Sequence, residues 1–263
     1  MKISSKLVKE LRSITGVGIL DCKKALLKKK GDINSSIDYL RKQGISKALN
    51  KFSRKTLQGS IFSGIKKNIG ALLELNCETD FVSKDKYFIN FGNKIIQTAL
   101  KKNINNLNDL RILFESERTN LVSIIGENIK ISRFSVLIGN FINSYIHRSR
   151  IGVLVQSNSS NDILTKNIAM HIAASKPLYL NPESVPKDIV LREQNIQLSM
   201  STQTGKSHSI AKKIVSGRMK KFFSEITLLK QLFILDSKKT VENFLLENKI
   251  VLKNFLRFEM GEV

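Results

Sequence analysis

The stretch GSIFSGIKKNIGALLELNC, residues 59–77, decides the fold class of this 263-residue chain. Its first half places β-branched and aromatic residues around Ser60–Phe62, and its second half is an almost unbroken apolar series over Ile69–Cys77. The pair Lys67-Asn68 interrupts the two halves at a position typical of a turn. The stretch therefore predicts two strands joined in a β-hairpin.

Helices follow this hairpin, and strands return after them. The periodicity of apolar residues predicts, in chain order, a helix at Asp85–Leu100, two helices between Asn106 and Ile125, strands within Ile129–Tyr145 and at Ile151–Gln156, and a helix at Asp162–Ser175. Sheet and helices in this order predict an α+β fold with antiparallel sheets. The strand and helix pattern of residues 59–140 recurs loosely in 141–180 and 229–258, which predicts a core in two related parts.

Residues 1–54 show helical periodicity only. The glycines of Gly16-Val17-Gly18 separate a first helix from a second one at Leu20–Lys30. Asp32 is the expected N-cap of a third helix, which the pattern predicts to end near Gly44. We expect a three-helix domain over residues 1–54, followed by a short linker rich in Lys and Ser.

Residues 187–224 also lack strand-like alternation. Two helical stretches, Lys187–Ser201 and Ser207–Phe223, flank the turn Gln203–Gly205. Helices joined by a short connection become antiparallel neighbours. This segment therefore predicts a helical coiled-coil hairpin inserted into the core.

After the inserted hairpin, the chain is expected to return to the sheet at Gln231–Leu235, followed by a helix at Lys239–Glu247 and a strand at Val251–Glu259. The predicted domains are residues 1–54, the N-terminal half of the core at 55–140, its C-terminal half at 141–186 and 225–263, and the coiled-coil hairpin at 187–224.

The net charge of +22 admits two interpretations. The first is a basic RNA-binding module, because such proteins carry an excess of positive charge. The second is compositional drift, because lysine outnumbers arginine 33 to 11 whereas phosphate and base recognition favours arginine. Trp is absent and aromatic residues make up 7% of the chain, which leaves few rings for base stacking. We predict no specific nucleic-acid partner and keep the RNA-binding module as the alternative.

The chain carries none of the common catalytic motifs. Its three histidines, His147, His171 and His208, are far apart in the sequence, so they predict no metal site. The tripeptide Gly205-Lys206-Ser207 resembles the end of a phosphate-binding loop, but Met200 replaces the first glycine and a helix precedes it, which disfavours an NTPase. We predict a protein without covalent catalysis, metal or cofactor.

Cysteine usage and hydropathy predict the compartment. Cys22 and Cys77 form neither a disulfide framework nor a metal knuckle, which is typical of a reducing environment. The opening residues MKISSKLVKELRS have no apolar region of a secretory signal. Apolar runs are far shorter than the ~20 residues that a membrane helix needs. We therefore expect a cytoplasmic protein that does not contact a membrane.

Six motifs occur in order along essentially the whole chain: LVKELRSITGVGILDCKKAL at Leu7–Leu26, TDFV at Thr79–Val82, IGENI from Ile125, RIGVLV from Arg150, HIAASKP from His171 and GRMKKF from Gly217. Together they resemble the elongation factor Ts family. The resemblance implies a translation elongation factor that binds elongation factor Tu in its GDP form and promotes GDP release and GTP rebinding. It also implies a coiled-coil hairpin that some members use for self-association.

The resemblance further implies which residues contact the partner. Thr79, Asp80, Phe81 and Val82 are expected to disturb the magnesium site of the GTPase, with Phe81 as a wedge. The other matched positions are expected to contact elongation factor Tu elsewhere, and they are Arg12, Leu20, Lys23, His147, Ile234 and Leu235.

The residues by themselves also allow ordinary structural roles. Phe81 would then turn back into the core, and Asp80 would cap the following helix. Ile234 and Leu235 would be core residues of a strand. The basic side chains of the first two helices would be solvated charges, which contribute little to stability alone.

Overall fold

The structure, a computed structural model, describes residues 3–202 and 208–262. It contains both helices and antiparallel sheets, which confirms the predicted α+β class. The helices are α1 (Ser5–Thr15), α2 (Ile19–Lys28), α3 (Ile33–Lys51), α4 (Asp80–Ser83), α5 (Lys86–Lys102), α6 (Leu107–Ile125), α7 (Asp162–Ser175), α8 (Lys187–Thr202), α9 (His208–Ile226) and α10 (Val241–Glu247). The strands are β1 (Gln58–Lys66), β2 (Ile69–Cys77), β3 (Lys130–Ile138), β4 (Phe141–His147), β5 (Ile151–Ser157), β6 (Leu232–Phe233), β7 (Asp236–Thr240) and β8 (Leu252–Glu259).

The first three helices pack around a small apolar core. Leu11 of α1 and Leu26 of α2 are fully buried in it. Asp32 precedes α3, and its carboxylate accepts a hydrogen bond of 2.6 Å from the main-chain N–H of Ser35. The predicted cap of the third helix is therefore present, and it satisfies one of the free N–H groups at the helix start.

The third helix does not end near Gly44, as the sequence predicted, but continues to Lys51. Gly44 is buried against α6, where a Cβ atom would lie 3.1 Å from the side chain of Ser123. The Lys51 ammonium donates a hydrogen bond to the carbonyl of Gly126, just after α6. Packing against α6 thus outweighs the low helix propensity of glycine, which costs roughly 1 kcal/mol.

The predicted β-hairpin forms the edge and centre of the first sheet. Its strands pair antiparallel from Gln58 with Cys77 to Lys66 with Ile69, and β3 adds to the other side of β2. The order is therefore β1-β2-β3. Helices α5 and α6 cover one face of this sheet, and the buried residues between them form its core.

One continuous helix, α6, replaces the two helices predicted between Asn106 and Ile125. Leu110, Phe114 and Leu121 fall on one side of it and are buried against the sheet. This apolar stripe runs the length of the helix, so burial favours a single straight element.

The second sheet has the order β4-β5-β8, and helices α7 and α10 pack against it. The predicted return to this sheet at Gln231–Leu235 is wrong. Only Leu232–Phe233 adopts strand geometry, and it pairs with β7 in a separate two-stranded sheet. Phe233 is buried there and stacks on Phe244 with ring centroids 4.3 Å apart, and Gln231 is buried as well, so the segment contributes core contacts and a turn rather than a strand of the larger sheet.

The two larger sheets pack face to face. Ile61, Leu72, Leu154 and Phe258 are buried between them. The apolar area removed from water in this interface stabilises the pair by roughly 25 cal/mol per Å². The β1–β2 hairpin is therefore covered by helices on one face and by the second sheet on the other.

Helices α8 and α9 form the predicted hairpin. Arg218 donates a hydrogen bond of 3.1 Å to the side-chain oxygen of Gln197 across the pair, and the N–H of Leu178 reaches the carbonyl of Ile226 near the base. The first contact joins the two helices, and the second joins the segment before α8 to the end of α9, so the two helices run antiparallel. The predicted turn Gln203–Gly205, with Lys206 and Ser207, lies outside the described residues. The division into domains at 1–54, 55–140, 141–186 with 225–263, and 187–224 stays a prediction.

Candidate functional site

Residues 79–82 form a short helical turn directly after β2, with one aromatic ring in solvent. Thr79 is the N-cap of α4, and its hydroxyl accepts a hydrogen bond of 3.5 Å from the N–H of Val82. The side chain of Phe81 is 81% exposed, while Val82 is buried in the core of the first sheet. The interpretation in which Phe81 turns back into the core is therefore wrong, and Thr79 rather than Asp80 caps the helix.

A negative charge lies beside the exposed ring. The carboxylate of Asp80 pairs with the ammonium of Lys84 at 3.0 Å, and this hydrogen bond lowers the pKa of Asp80 from its ordinary value. Both side chains are exposed, so the pair contributes little to folding stability. Asp80 is therefore ionised next to Phe81 at neutral pH, as an exposed carboxyl is also without such a pair.

Two side chains from the neighbouring strands hold the turn by hydrogen bonds to its carbonyl groups. Ser60 on β1 donates a hydrogen bond of 3.2 Å to the carbonyl of Ser83, and the Cys77 thiol donates one of 3.1 Å to the carbonyl of Thr79. Burial, followed by the nearby charge of Glu127, raises the pKa of Cys77 to about 12. The thiol is therefore protonated at neutral pH and is available as a donor.

Two residues at this site were missed by reasoning from the sequence, and both follow α6. The carboxylate of Glu127 accepts hydrogen bonds from Glu78 and Thr79, and the main-chain N–H of Asn128 donates one to the carboxylate of Glu78. The available signal was the IGENI motif from Ile125, which contains both residues. Their distance in sequence from the turn concealed the contact.

Three predicted contact residues lie on the N-terminal helices. Arg12 belongs to α1, and Leu20 and Lys23 belong to α2. All three are exposed, and Leu20 leaves 70% of its surface in water. Exposed apolar and basic side chains of this kind are suited to contact with a protein surface.

The remaining three predicted contact residues lie on the C-terminal half. His147 ends β4, where its Nδ1 lies 3.0 Å from the hydroxyl of Tyr145. Ile234 and Leu235 form the turn between β6 and β7 and are 51% and 52% exposed. The interpretation of these two residues as core strand residues is therefore wrong.

The predicted contact residues thus form three groups rather than one pocket. Within residues 3–202 and 208–262, no hydrogen bond or ion pair joins one group to another. All of these residues except Val82 are exposed. Dispersed, exposed side chains of this kind suit contact with a large partner, whereas small ligands bind in concave pockets.

His171 on α7 holds the turn that carries Ile234. The Nδ1 atom accepts a hydrogen bond of 3.2 Å from the main-chain N–H of Ile234, so this nitrogen carries no proton. The Nε2 atom, 3.0 Å from the side-chain oxygen of Gln231, is then the donor. Burial lowers the pKa of His171, which keeps the ring neutral at pH 7.

This buried histidine predicts a loss of stability in mild acid. The pKa in the folded protein lies below the ordinary value of 6.5, so the unfolded chain binds the proton more readily. The contribution of His171 is complete above pH ~6.5 and decreases as the pH falls toward the folded pKa. We expect the free energy of unfolding, measured in urea from pH ~7.5 to ~5.5, to fall less steeply in His171→Gln than in the unsubstituted protein. His147→Gln is the matched control, and equal slopes in all three proteins would contradict the assignment.

Among residues 3–202 and 208–262, no cluster of three or more His, Cys, Asp or Glu side chains could hold a metal ion. In the described part of the chain, none of the helices has both the length and the apolar character needed to cross a bilayer.

Comparison with known proteins identifies the family. The sequence model of the family Elongation factor TS matches residues 78–262. The chain is 52% identical to elongation factor Ts of Buchnera aphidicola subsp. Acyrthosiphon pisum (strain 5A), over 99% of this chain and 97% of the relative. It is 50% identical to elongation factor Ts of Photorhabdus laumondii and 47% identical to that of Yersinia pestis (strain Pestoides F), over 99% of this chain and 93% and 92% of these relatives. The chain therefore belongs to the elongation factor Ts family of translation elongation factors.

Proposed function

We propose that the protein binds elongation factor Tu in its GDP form and promotes the release of GDP and the binding of GTP. The observation that carries this proposal is Phe81, a large apolar ring that is 81% exposed on a short turn held by neighbouring residues. Exposed aromatic side chains of this kind are typical anchors of protein interfaces. Timing the release of fluorescent GDP from elongation factor Tu, with and without the protein, tests the proposal.

The proposed mechanism depends on the Mg²⁺ ion that helps a GTPase to hold the phosphates of its nucleotide. A bound Mg²⁺ is the largest local charge on nucleotide phosphates, so its displacement weakens GDP binding without breaking a covalent bond. We infer that Phe81 enters the GTPase next to this site, with Asp80, Thr79 and Val82 supporting it. The protein is then an exchange factor that requires no cofactor of its own.

The other two groups of exposed residues would hold the partner while the wedge acts. Arg12, Leu20 and Lys23 offer one contact, and His147, Ile234 and Leu235 on the C-terminal half offer another. Binding energy from these remote contacts offsets the cost of distorting the nucleotide site. By thermodynamic reciprocity, a factor that lowers nucleotide affinity is itself displaced by nucleotide, so GTP completes the cycle. Action on elongation factor Tu would place the protein in the cytoplasm.

The alternative, a basic RNA-binding module, rests on the net charge of +22. Modules that read RNA on a sheet expose aromatic rings from its central strands. Here β2 is buried at eight of its nine positions, and β5 at five of seven, because helices and the opposing sheet cover them. The described sheets therefore offer little stacking surface, which favours the exchange factor.

The charge has a second consequence, which concerns association rates. Residues 1–54 hold 14 basic and 4 acidic residues, and Lys28 and Lys30 are exposed among them. Such a cluster would steer the protein toward an acidic surface of the GTPase. Steering weakens as salt shortens the Debye length to about 10 Å at 0.1 M.

We expect association with elongation factor Tu to slow by about tenfold from low to physiological salt, while dissociation changes little. Replacing Lys28 and Lys30 by alanine should reduce this salt dependence. The control variant loses Lys166 and Lys253, which are exposed in the C-terminal half. Tight, sequence-selective RNA binding at physiological salt would instead support the alternative function.

The helical hairpin is the proposed surface for self-association. Leu191 is 58% exposed and Met200 is 50% exposed on α8, so apolar area remains uncovered in a single copy. Burial of such area is the main favourable contribution to association of helices in water. The molecular mass in solution, with and without residues 187–224, tests this role.

A further inference from the structure

The loop after α6 lies against the turn that presents Phe81. Its central residue, Glu127, uses both carboxylate oxygens. Oε2 accepts hydrogen bonds from the main-chain N–H groups of Glu78 and Thr79, at 3.1 and 2.9 Å, and Oε1 accepts one of 2.7 Å from the Thr79 hydroxyl. Hydrogen bonds to an ionised acceptor are roughly twice as strong as those between neutral groups.

We call the hydrogen bonds of Glu127 to Glu78 and Thr79 the clamp. A hydrogen bond in the opposite direction, from the loop to Glu78, strengthens it. The carboxylate of Glu78 accepts a hydrogen bond of 2.7 Å from the main-chain N–H of Asn128, and the buried side chain of Asn128 donates to the carbonyls of Phe52 and Arg54 at 3.2 and 3.0 Å. The loop therefore joins the turn to the segment that follows α3. It also lies next to α6, so its own position is fixed by a long helix.

The backbone at Gly126 directs Glu127 toward the turn. Gly126 has φ +89° in the left-handed region and ends α6 with a hydrogen bond from its N–H to the carbonyl of Val122. Glycine adopts this conformation without the strain that a Cβ atom would cause. The chain thus reverses within one residue, and the next side chain faces Thr79.

The turn needs this external support. Helix α4 has only four residues, and an isolated helical turn of that length is unstable in water. Phe81 cannot fix the turn by packing, because its ring is exposed. Val82 anchors one end in the core, and Glu127 anchors the other end through the residues just before the turn.

We propose that Glu127 is a positioning residue, which holds the Thr79–Val82 turn so that Phe81 is ready to enter the GTPase. This inference rests on the proposed exchange function. A side chain that is fixed before binding loses less conformational entropy when the complex forms. Loss of the clamp would therefore act only through Phe81 and would leave the other contact groups unchanged.

The test compares the rates of GDP release with five variants and with the unsubstituted protein. Glu127→Ala removes the clamp and should slow GDP release by about tenfold. Glu127→Gln keeps an oxygen for the two main-chain N–H groups and should stay within about threefold. Glu117→Ala is the matched control, because Glu117 pairs with Lys94 at 2.7 Å on the exposed side of α6 and lies outside the clamp. With Phe81→Ala combined with Glu127→Ala, GDP release should be no slower than with Phe81→Ala alone.

A second measurement distinguishes positioning from general damage. Hydrogen exchange of the Glu78 and Thr79 amides should accelerate in free Glu127→Ala, with the amides of β2 unchanged. If that variant does not fold, Glu127→Asp replaces it, since its shorter side chain keeps the charge but not the reach. Equal rates of GDP release with Glu127→Ala and Glu117→Ala would overturn the inference. So would a double variant that releases GDP more slowly than Phe81→Ala alone. If the unsubstituted protein does not accelerate GDP release from elongation factor Tu, the proposed function is wrong instead.

Discussion

Replacing Phe81 by alanine is expected to slow exchange on elongation factor Tu by about 30-fold and to leave the fold intact. The reason is the combination of an 81% exposed ring and a turn supported by other residues. Removing an interface anchor costs about 2 kcal/mol or more of binding energy, whereas exposed positions rarely change folding stability by more than about 0.5 kcal/mol. The measurements are the rate of GDP release and the thermal unfolding of the free protein.

Two controls make this result specific. Ile112→Ala removes another large apolar side chain, 78% exposed on α6, and should change neither quantity. Phe88→Ala removes a fully buried ring of α5 and should destabilise the protein by about 3–5 kcal/mol. If Phe81→Ala loses stability as Phe88→Ala does, the ring belongs to the core and the wedge is wrong.

Removing the N-terminal helices is expected to weaken the complex with elongation factor Tu by about 100-fold or more, at roughly 1.4 kcal/mol for each tenfold. The lost surface includes Arg12, Leu20 and Lys23. The rest of the chain should remain folded, because none of the side chains described within residues 3–44 and 51–54 belongs to the apolar core of the first sheet. A chain that begins at residue 51 is the suitable variant, since it keeps the carbonyls of Phe52 and Arg54 that Asn128 contacts.

The matched control for this truncation is the full-length chain with Arg12, Leu20 and Lys23 replaced by alanine. It keeps the packing of α3 on α6 but loses the proposed contacts, so it should reproduce most of the loss in affinity. If the dissociation constant is unchanged in both variants, residues 1–54 do not contribute to the interface. If the truncated chain unfolds and the alanine variant stays folded, α3 is part of the core.

Local patterns predicted the hairpin of the first sheet well. The hairpin of residues 59–77 was visible because a buried central strand reads as an unbroken apolar run. The helix at Asp162–Ser175 was predicted with its observed bounds, since its apolar side chains and the following Lys176-Pro177 agree. The candidate site depended on resemblance, because an exposed phenylalanine and a buried one look the same in a single sequence.

Contacts between distant segments set the limits of prediction. Helix α3 passes through Gly44 because α6 packs on it, and nothing in the local sequence indicates that neighbour. The segment Gln231–Leu235 has the pattern of a strand, yet Ile234 and Leu235 are exposed in a turn held by His171. Glu127 contacts Thr79 across 48 residues of sequence, which no periodicity could reveal.

Stopped-flow release of fluorescent GDP from elongation factor Tu tests the central claim most directly. Elongation factor Tu loaded with the labelled nucleotide is mixed with excess unlabelled GDP and increasing amounts of the protein, with Phe81→Ala as the parallel sample. We expect the release rate to rise with protein concentration toward a plateau, and we expect Phe81→Ala to show little of this rise. A release rate that stays at its spontaneous value, while the two proteins form a complex, would contradict the central claim.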